Sequence, residues 1–155
     1  MTGRPSITEF LRARLDEDER VAREAGSGNW TRECGHLGWN GEELPPSHDM
    51  CCVVAGDDIR IYDEGGHGPE QADHIARWHP ARVLGEVEAK RDVVAWCIEV
   101  IGDRDLSTYD QFGCLRDDPQ ALAVTLAVET LRLLASPYGT HPDFDPAWAP
   151  QVATP

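Results

Sequence analysis

Residues 69–102 read PEQADHIARWHPARVLGEVEAKRDVVAWCIEVIG, and their reading decides the fold. Pro69 suits the first position of a helix, where a missing N–H is no loss. Ala72, Ile75 and Ala76 follow at helical spacing and give a short helix a modest apolar face. Pro80 disfavours helical geometry at His79, so that helix ends there, and the same proline fits the first turn of a second one. In this second helix Val83, Leu84, Val87, Val94, Cys97, Ile98 and Ile101 trace one apolar stripe, and Gly102 ends it. Arg82–Glu86 and Glu86–Lys90 stand as i,i+4 pairs on the outer side. The stretch predicts two consecutive helices, with the rest of the chain laid against the longer one.

Towards the N-terminus, Ser6 and Glu9 have the spacing of a capping box, in which each side chain satisfies a free backbone N–H of the other. Ile7, Phe10, Leu11, Leu15, Val21, Ala22 and Ala25 continue at three- and four-residue steps, predicting an amphipathic helix over 6–25 that stops at Gly26. Between the helices, residues 30–62 suit a small antiparallel sheet with a long loop. Trp30–Cys34 reads as a strand, 35–47 as loop, and Cys51–Val54 with Ile59–Tyr62 as a hairpin around Ala55-Gly56-Asp57-Asp58.

Towards the C-terminus, Asp118-Pro119 offers an N-cap followed by proline, and 119–136 is apolar except along a narrow line. A helix of that kind is expected to be mostly buried, at the centre of the core. Pro137 ends it, leaving 137–155 as a proline-rich extended tail anchored by Tyr138, Phe144 and Trp148. The fold class is therefore α+β: an N-terminal helix, a small antiparallel sheet of two to three strands, three helices and a tail. A length of 155 residues suits one domain, 1–155, able to bury its own core.

No apolar run approaches the roughly 20 residues of a membrane span, and the first residues lack the apolar core of a signal peptide. A cytoplasmic protein with no membrane role is expected. The formal net charge of −14 excludes nucleic-acid or anionic-membrane binding by bulk electrostatics. It is compatible with a basic protein partner, a cation, or plain solubility. Oligomeric state leaves no mark in the chain. Five cysteines, an odd number without scaffold spacing, suggest buried thiols or metal ligands in a reducing compartment.

Three blocks carry a resemblance: FLRARLDEDERVAR (Phe10–Arg23), HIARWHPARVLGEVEAKRDVV (His74–Val94) and TLRLLASPYGTHPDFDPAW (Thr130–Trp148). Together they resemble an uncharacterised actinobacterial family, of the kind common in streptomycetes, with no assigned function. A weaker similarity links the helix–Trp–strands–helix layout, with Trp30 after the turn, to phage-borne accessory proteins. Two departures stand out. Trp78-His79 replaces the family's His-Asp before the proline, and Val128 stands where relatives often carry a cysteine. The resemblance implies a shared fold and supplies no active site, and it sets no cysteine-based metal site in this chain.

Two constellations carry candidate chemistry. Cys34 and His36, then His48 and Cys51, are thiolate and imidazole donors of the types that zinc takes in fours. A loop with little core of its own would gain from such a staple. Against this, no C-x-x-C pair is present, and adjacent Cys51 and Cys52 on a strand point to opposite faces. The second constellation is His74, Arg77 and His79, an anion- or ligand-binding group at the front edge of the long helix. Its bland counterpart has His74 packed with Trp78 and Arg77 paired to a surface acid. Gly65-Gly66-His67-Gly68 lacks the Lys-Ser/Thr of a phosphate loop. Cys97 reads as a core thiol. No nucleophile, zinc-protease or dinucleotide motif occurs.

The chain thus reads as a small acidic accessory or protein-interaction domain, without catalytic residues. A metal-stapled or metal-dependent enzyme using Cys34, His36, His48 and Cys51 is the alternative reading. An acidic nucleic-acid mimic is the third.

Overall fold

The structure, a computed structural model, describes residues 4–26, 28–34, 36–37, 43–44, 51–55, 59–62, 69–104 and 120–150. Among these residues four helices, α1 (Ile7–Glu24), α2 (Pro69–Arg77), α3 (Pro80–Ile101) and α4 (Ala121–Ala135), accompany five strands. The strands are β1 (Trp30–Cys34), β2 (His36–Leu37), β3 (Glu43–Leu44), β4 (Cys51–Ala55) and β5 (Ile59–Tyr62). The architecture is the α+β arrangement expected, an N-terminal helix followed by a small antiparallel sheet and three helices, with a C-terminal tail. By its internal contacts the chain divides into two compact units, 18–86 and a second made of 1–17 with 87–155. The boundaries fall inside α1 and α3.

The unit of residues 18–86 holds the sheet. Its order is β1-β4-β5, antiparallel throughout, with Trp30 opposite Ala55 and Cys34 opposite Cys51. Between Val53 and Val54 the pairing with β5 skips one residue, Ile61, so the irregularity is a bulge carried by β5. The two-residue strands β2 and β3 pair separately in a region expected to be loop. They are too short to leave a hydrophobic period in the sequence. Helix α2 packs on β1 and β4. Beneath it Cys51, Val53 and Ala72 form a cluster of small buried side chains, with Trp30, Ile75 and Ala76 packed around them.

The other unit is built on larger side chains. Phe10, Leu11 and Leu15 of α1, Val87, Val94, Cys97 and Ile101 of α3, and Val124, Ala127 and Leu131 of α4 are all buried. Burial raises the Cys97 thiol above its ordinary pKa, because a thiolate there would lose its water. The tail returns to α1 through two 3-10 turns, Ser136–Tyr138 and Pro146–Trp148, the second capped by Asp145 accepting from the Ala147 N–H. Its aromatic rings surround Phe10. Trp148 lies 5.2 Å from Phe10 between centroids, Phe144 6.0 Å and Tyr138 6.2 Å, with the last two edge-on. The arginine of the next helical turn closes the group, as Arg14 Nη1 donates to His141 Nε2 at 2.6 Å.

Helix ends follow their local chemistry. The capping box forms: the Ser6 N–H donates to Glu9 Oε2 at 2.7 Å, and the Glu9 N–H donates to Ser6 Oγ at 3.3 Å. The Ser6 N–H and the Ser6 hydroxyl, both donating to Oε2, hold the Glu9 carboxyl below its ordinary pKa. At the far end of α3, Gly102 takes φ +57°, a left-handed conformation that closes a helix. Arg104 Nη1 reaches back to the Val100 and Ile101 carbonyls, 3.0 and 3.1 Å away. The N-cap of α4 is Gln120, whose side chain makes no capping bond and instead accepts from Arg104 Nη2. Asp118 and Pro119 lie outside the described residues.

Candidate functional site

The break expected at His79-Pro80 is present, and His79 does more than interrupt. Its Nδ1 accepts the backbone N–H of Arg82 at 3.3 Å, so the imidazole caps the start of α3. An accepting Nδ1 leaves Nε2 as the ring's donor in the neutral form. Arg82 is fixed just as firmly. Its Nε donates to Glu86 Oε1 at 2.9 Å, its guanidinium lies 4.3 Å from the centre of the Trp78 ring, and Nη1 reaches the Arg77 carbonyl at 3.4 Å. That last bond meets a carbonyl left open where α2 ends.

Together with β1, the junction of α2 and α3 encloses an open groove of about 560 Å³. Trp30, Thr31 and Arg32 line it from the strand, Asp73, Ala76 and Arg77 from α2, and His79 and Arg82 from the start of α3. Asp73 is engaged by Arg32, with Nη1 to Oδ2 at 3.0 Å. The Arg77 guanidinium pairs with no acid among the described residues. The indole Nε1 of Trp30 is shielded from solvent and has no hydrogen-bond partner among the described residues, an unusual state for a buried donor.

Of the sequence-predicted anion group, Arg77 and His79 both line this groove, whereas His74 does not. The His74 ring faces Trp78 instead, at 6.3 Å and 52°. Arg32, Arg82 and Trp30 were not legible as site residues. Arg82 carries a sequence signal only as the i,i+4 partner of Glu86, and Arg32 only as one residue of a strand.

The zinc proposal meets a chemical obstacle. Cys51 is buried and disulfide-bonded, so in this form it has no thiolate to offer a metal. The expectation that the cysteines are thiols or ligands is corrected at that position. Cys52 and Cys97 do carry free, buried thiols, and Cys52 Sγ donates to the Glu33 carbonyl at 3.5 Å. Cys34 and His36 sit on β1 and β2, while His48, His67 and Cys114 lie outside the described residues. Among the described residues no three His, Cys, Asp or Glu side chains are gathered as a metal would need. No helix among them is long and apolar enough to cross a membrane.

Residues 4–150 match a family described as a family of unknown function, DUF6221. The chain belongs to DUF6221. The match takes in all four helices, all five strands and both turns of the tail, and the three blocks that carry the resemblance fall inside it. No curated protein matches the chain, and neither does any solved structure.

One further surface of this DUF6221 chain stands out. Helix α4, expected to be mostly buried, buries only one side, through Ala121, Val124, Ala127, Leu131 and Ala135. On the other side Leu122 is 71% exposed, Leu126 57% and Leu133 56%. At about 100° per residue these three leucines fall within roughly 40° of one another, so they form a straight apolar line. The polar residues of α4 are tied down locally. Thr125 and Thr130 donate to carbonyls one turn back, at 2.9 and 2.7 Å, and Arg132 pairs with Glu129.

Proposed function

We propose that this protein is a non-enzymatic interaction module whose docking face is the leucine line of α4. The observation that carries the reading is the exposure of Leu122, Leu126 and Leu133 on one side of a helix that is already packed on the other. Burying one such leucine is worth about 1.5–3 kcal/mol, so three in a line can anchor a partner helix. A net charge of −14 sets copies of this chain against one another and favours a partner with a basic rim. The occupant that fits is therefore an amphipathic helix of another protein, apolar along its centre and flanked by lysine or arginine. A nucleic-acid mimic would meet its target through charge, and an apolar line is of little use to it.

Two synthetic helices test this: one with a leucine face and a lysine/arginine rim, the other identical but with a glutamate rim. The basic peptide is expected to bind by fluorescence anisotropy, and Leu126→Asp to weaken it by about tenfold or more. Equal binding of both peptides, or indifference to Leu126→Asp, would overturn the reading. So would a stable dimer of the chain at neutral pH in analytical ultracentrifugation.

A further inference from the structure

We propose that the groove at the α2–α3 junction binds a phosphate monoester, with Arg77 as its principal anchor. The Arg77 guanidinium has no acid partner among the described residues. Arg32 and Arg82 have each given one hydrogen-bonding direction to an acid, Asp73 and Glu86, and each retains further N–H groups in its planar fork. His79 accepts at Nδ1 and so presents Nε2–H. The Trp30 indole N–H has no partner among the described residues. Among the described lining residues Asp73 is the only carboxylate, and it is engaged by Arg32. The groove is thus rich in donors and almost without a free acceptor, which calls for a ligand that only accepts.

Charge agrees with this inventory. Three guanidinium groups face one carboxylate in the lining of a chain whose formal net charge is −14. A local excess of positive charge on so acidic a protein needs an anion more than the protein's surface at large does. Shape decides between anions. The donors come from a strand, from the end of one helix and from the start of the next. A tetrahedral phosphate offers oxygens in three directions, while a carboxylate offers two in one plane. Arginine's fork suits phosphate, and the start of the 22-residue α3 adds its own positive end. A groove of about 560 Å³ is also large enough for the group that carries the phosphate. The inference is independent of the leucine line on α4.

Isothermal titration calorimetry of the full chain with phenyl phosphate at low ionic strength tests it. Saturable binding is expected, weakened about tenfold or more by Arg77→Gln and less by Arg77→Lys, which keeps the charge and loses the fork. Arg77 is exposed and bears no ion pair among the described residues, so the variant is expected to fold, and circular dichroism checks that it does. Arg12→Gln, the same charge change at an exposed position outside the groove lining, is expected to leave binding within about twofold, since it removes no donor from that lining. No saturable heat with the wild-type chain would overturn the proposal. So would equal weakening by Arg12→Gln, or phenylacetate binding as tightly as phenyl phosphate. A phosphoserine peptide added as a second ligand locates the source. Tighter binding than phenyl phosphate supports the site on a phosphorylated partner, and equal binding supports it on a free phosphorylated compound.

Discussion

The two halves of the hydrophobic interior are made from different materials. Around Phe10 the core is a cage of large rings, with partners more than a hundred residues away along the chain. Under the sheet it is a cluster of small groups, Cys51, Val53 and Ala72, flanked by the half-buried Trp30. Large side chains bury enough surface to hold a distant tail by themselves. Small ones bury little, and there the chain carries a covalent cross-link at Cys51. Where side chains are small, stability is moved from packing into constraint on the unfolded chain.

The most severe way to break that comparison is Phe10→Ala. Phe10 is 2% exposed and touches four rings of the tail, so the substitution is expected to cost about 3–5 kcal/mol in urea unfolding. The tail should also become the first site of proteolysis. A loss under about 1 kcal/mol would show that the rings rest beside Phe10 without depending on it.

Next in size is reduction of the Cys51 disulfide, expected to lower stability by about 2–4 kcal/mol. Hydrogen exchange should locate the loss in β1 and β4 rather than in the tail. Equal loosening of both regions would erase the distinction drawn here.

A smaller, pH-dependent effect belongs to Cys97. Its folded pKa is raised by burial, so its contribution is complete below the ordinary value of 9.0. Above that value the unfolded chain ionises first, and the contribution is lost as pH rises towards the folded pKa. Cys97→Ala should flatten the alkaline limb of the stability profile. An unchanged limb would mean that the thiol is open to water.

The least effect is expected from Glu9→Gln. Ser6 holds the Glu9 carboxyl below 4.5, so the benefit is present above that value and fades as pH falls through the lowered one. The variant should lose the acid-dependent part of α1 helicity measured by circular dichroism. If wild type and variant fray alike between pH 5 and about 2, the capping box contributes nothing through charge.

Much of the framework was legible because its signals are local. The Ser6–Glu9 spacing, the His79-Pro80 break, Gly102 and the β-type run Cys51–Val54 each depend on neighbours in the chain. What was not legible depends on orientation or on distant partners. An all-round apolar helix such as α4 has no periodicity to say which side turns inward, so the exposure of Leu122, Leu126 and Leu133 had no sequence signal. The groove is similar. Arg77 and His79 lie two residues apart, but Arg32 joins them only because β1 lies under α2. The disulfide at Cys51 has no sequence signal, because no spacing in the chain announces it and five cysteines are an odd number without scaffold spacing.

The leucine line also has a colloidal consequence. At neutral pH like charges keep copies of the chain apart and so guard a face that would otherwise be adhesive. That guard weakens as the solution approaches the isoelectric point near 4.6, where the net charge vanishes while the leucines stay exposed. Light scattering should therefore show reversible clustering around that pH, relieved on either side of it and absent when Leu122 and Leu126 are replaced by aspartate.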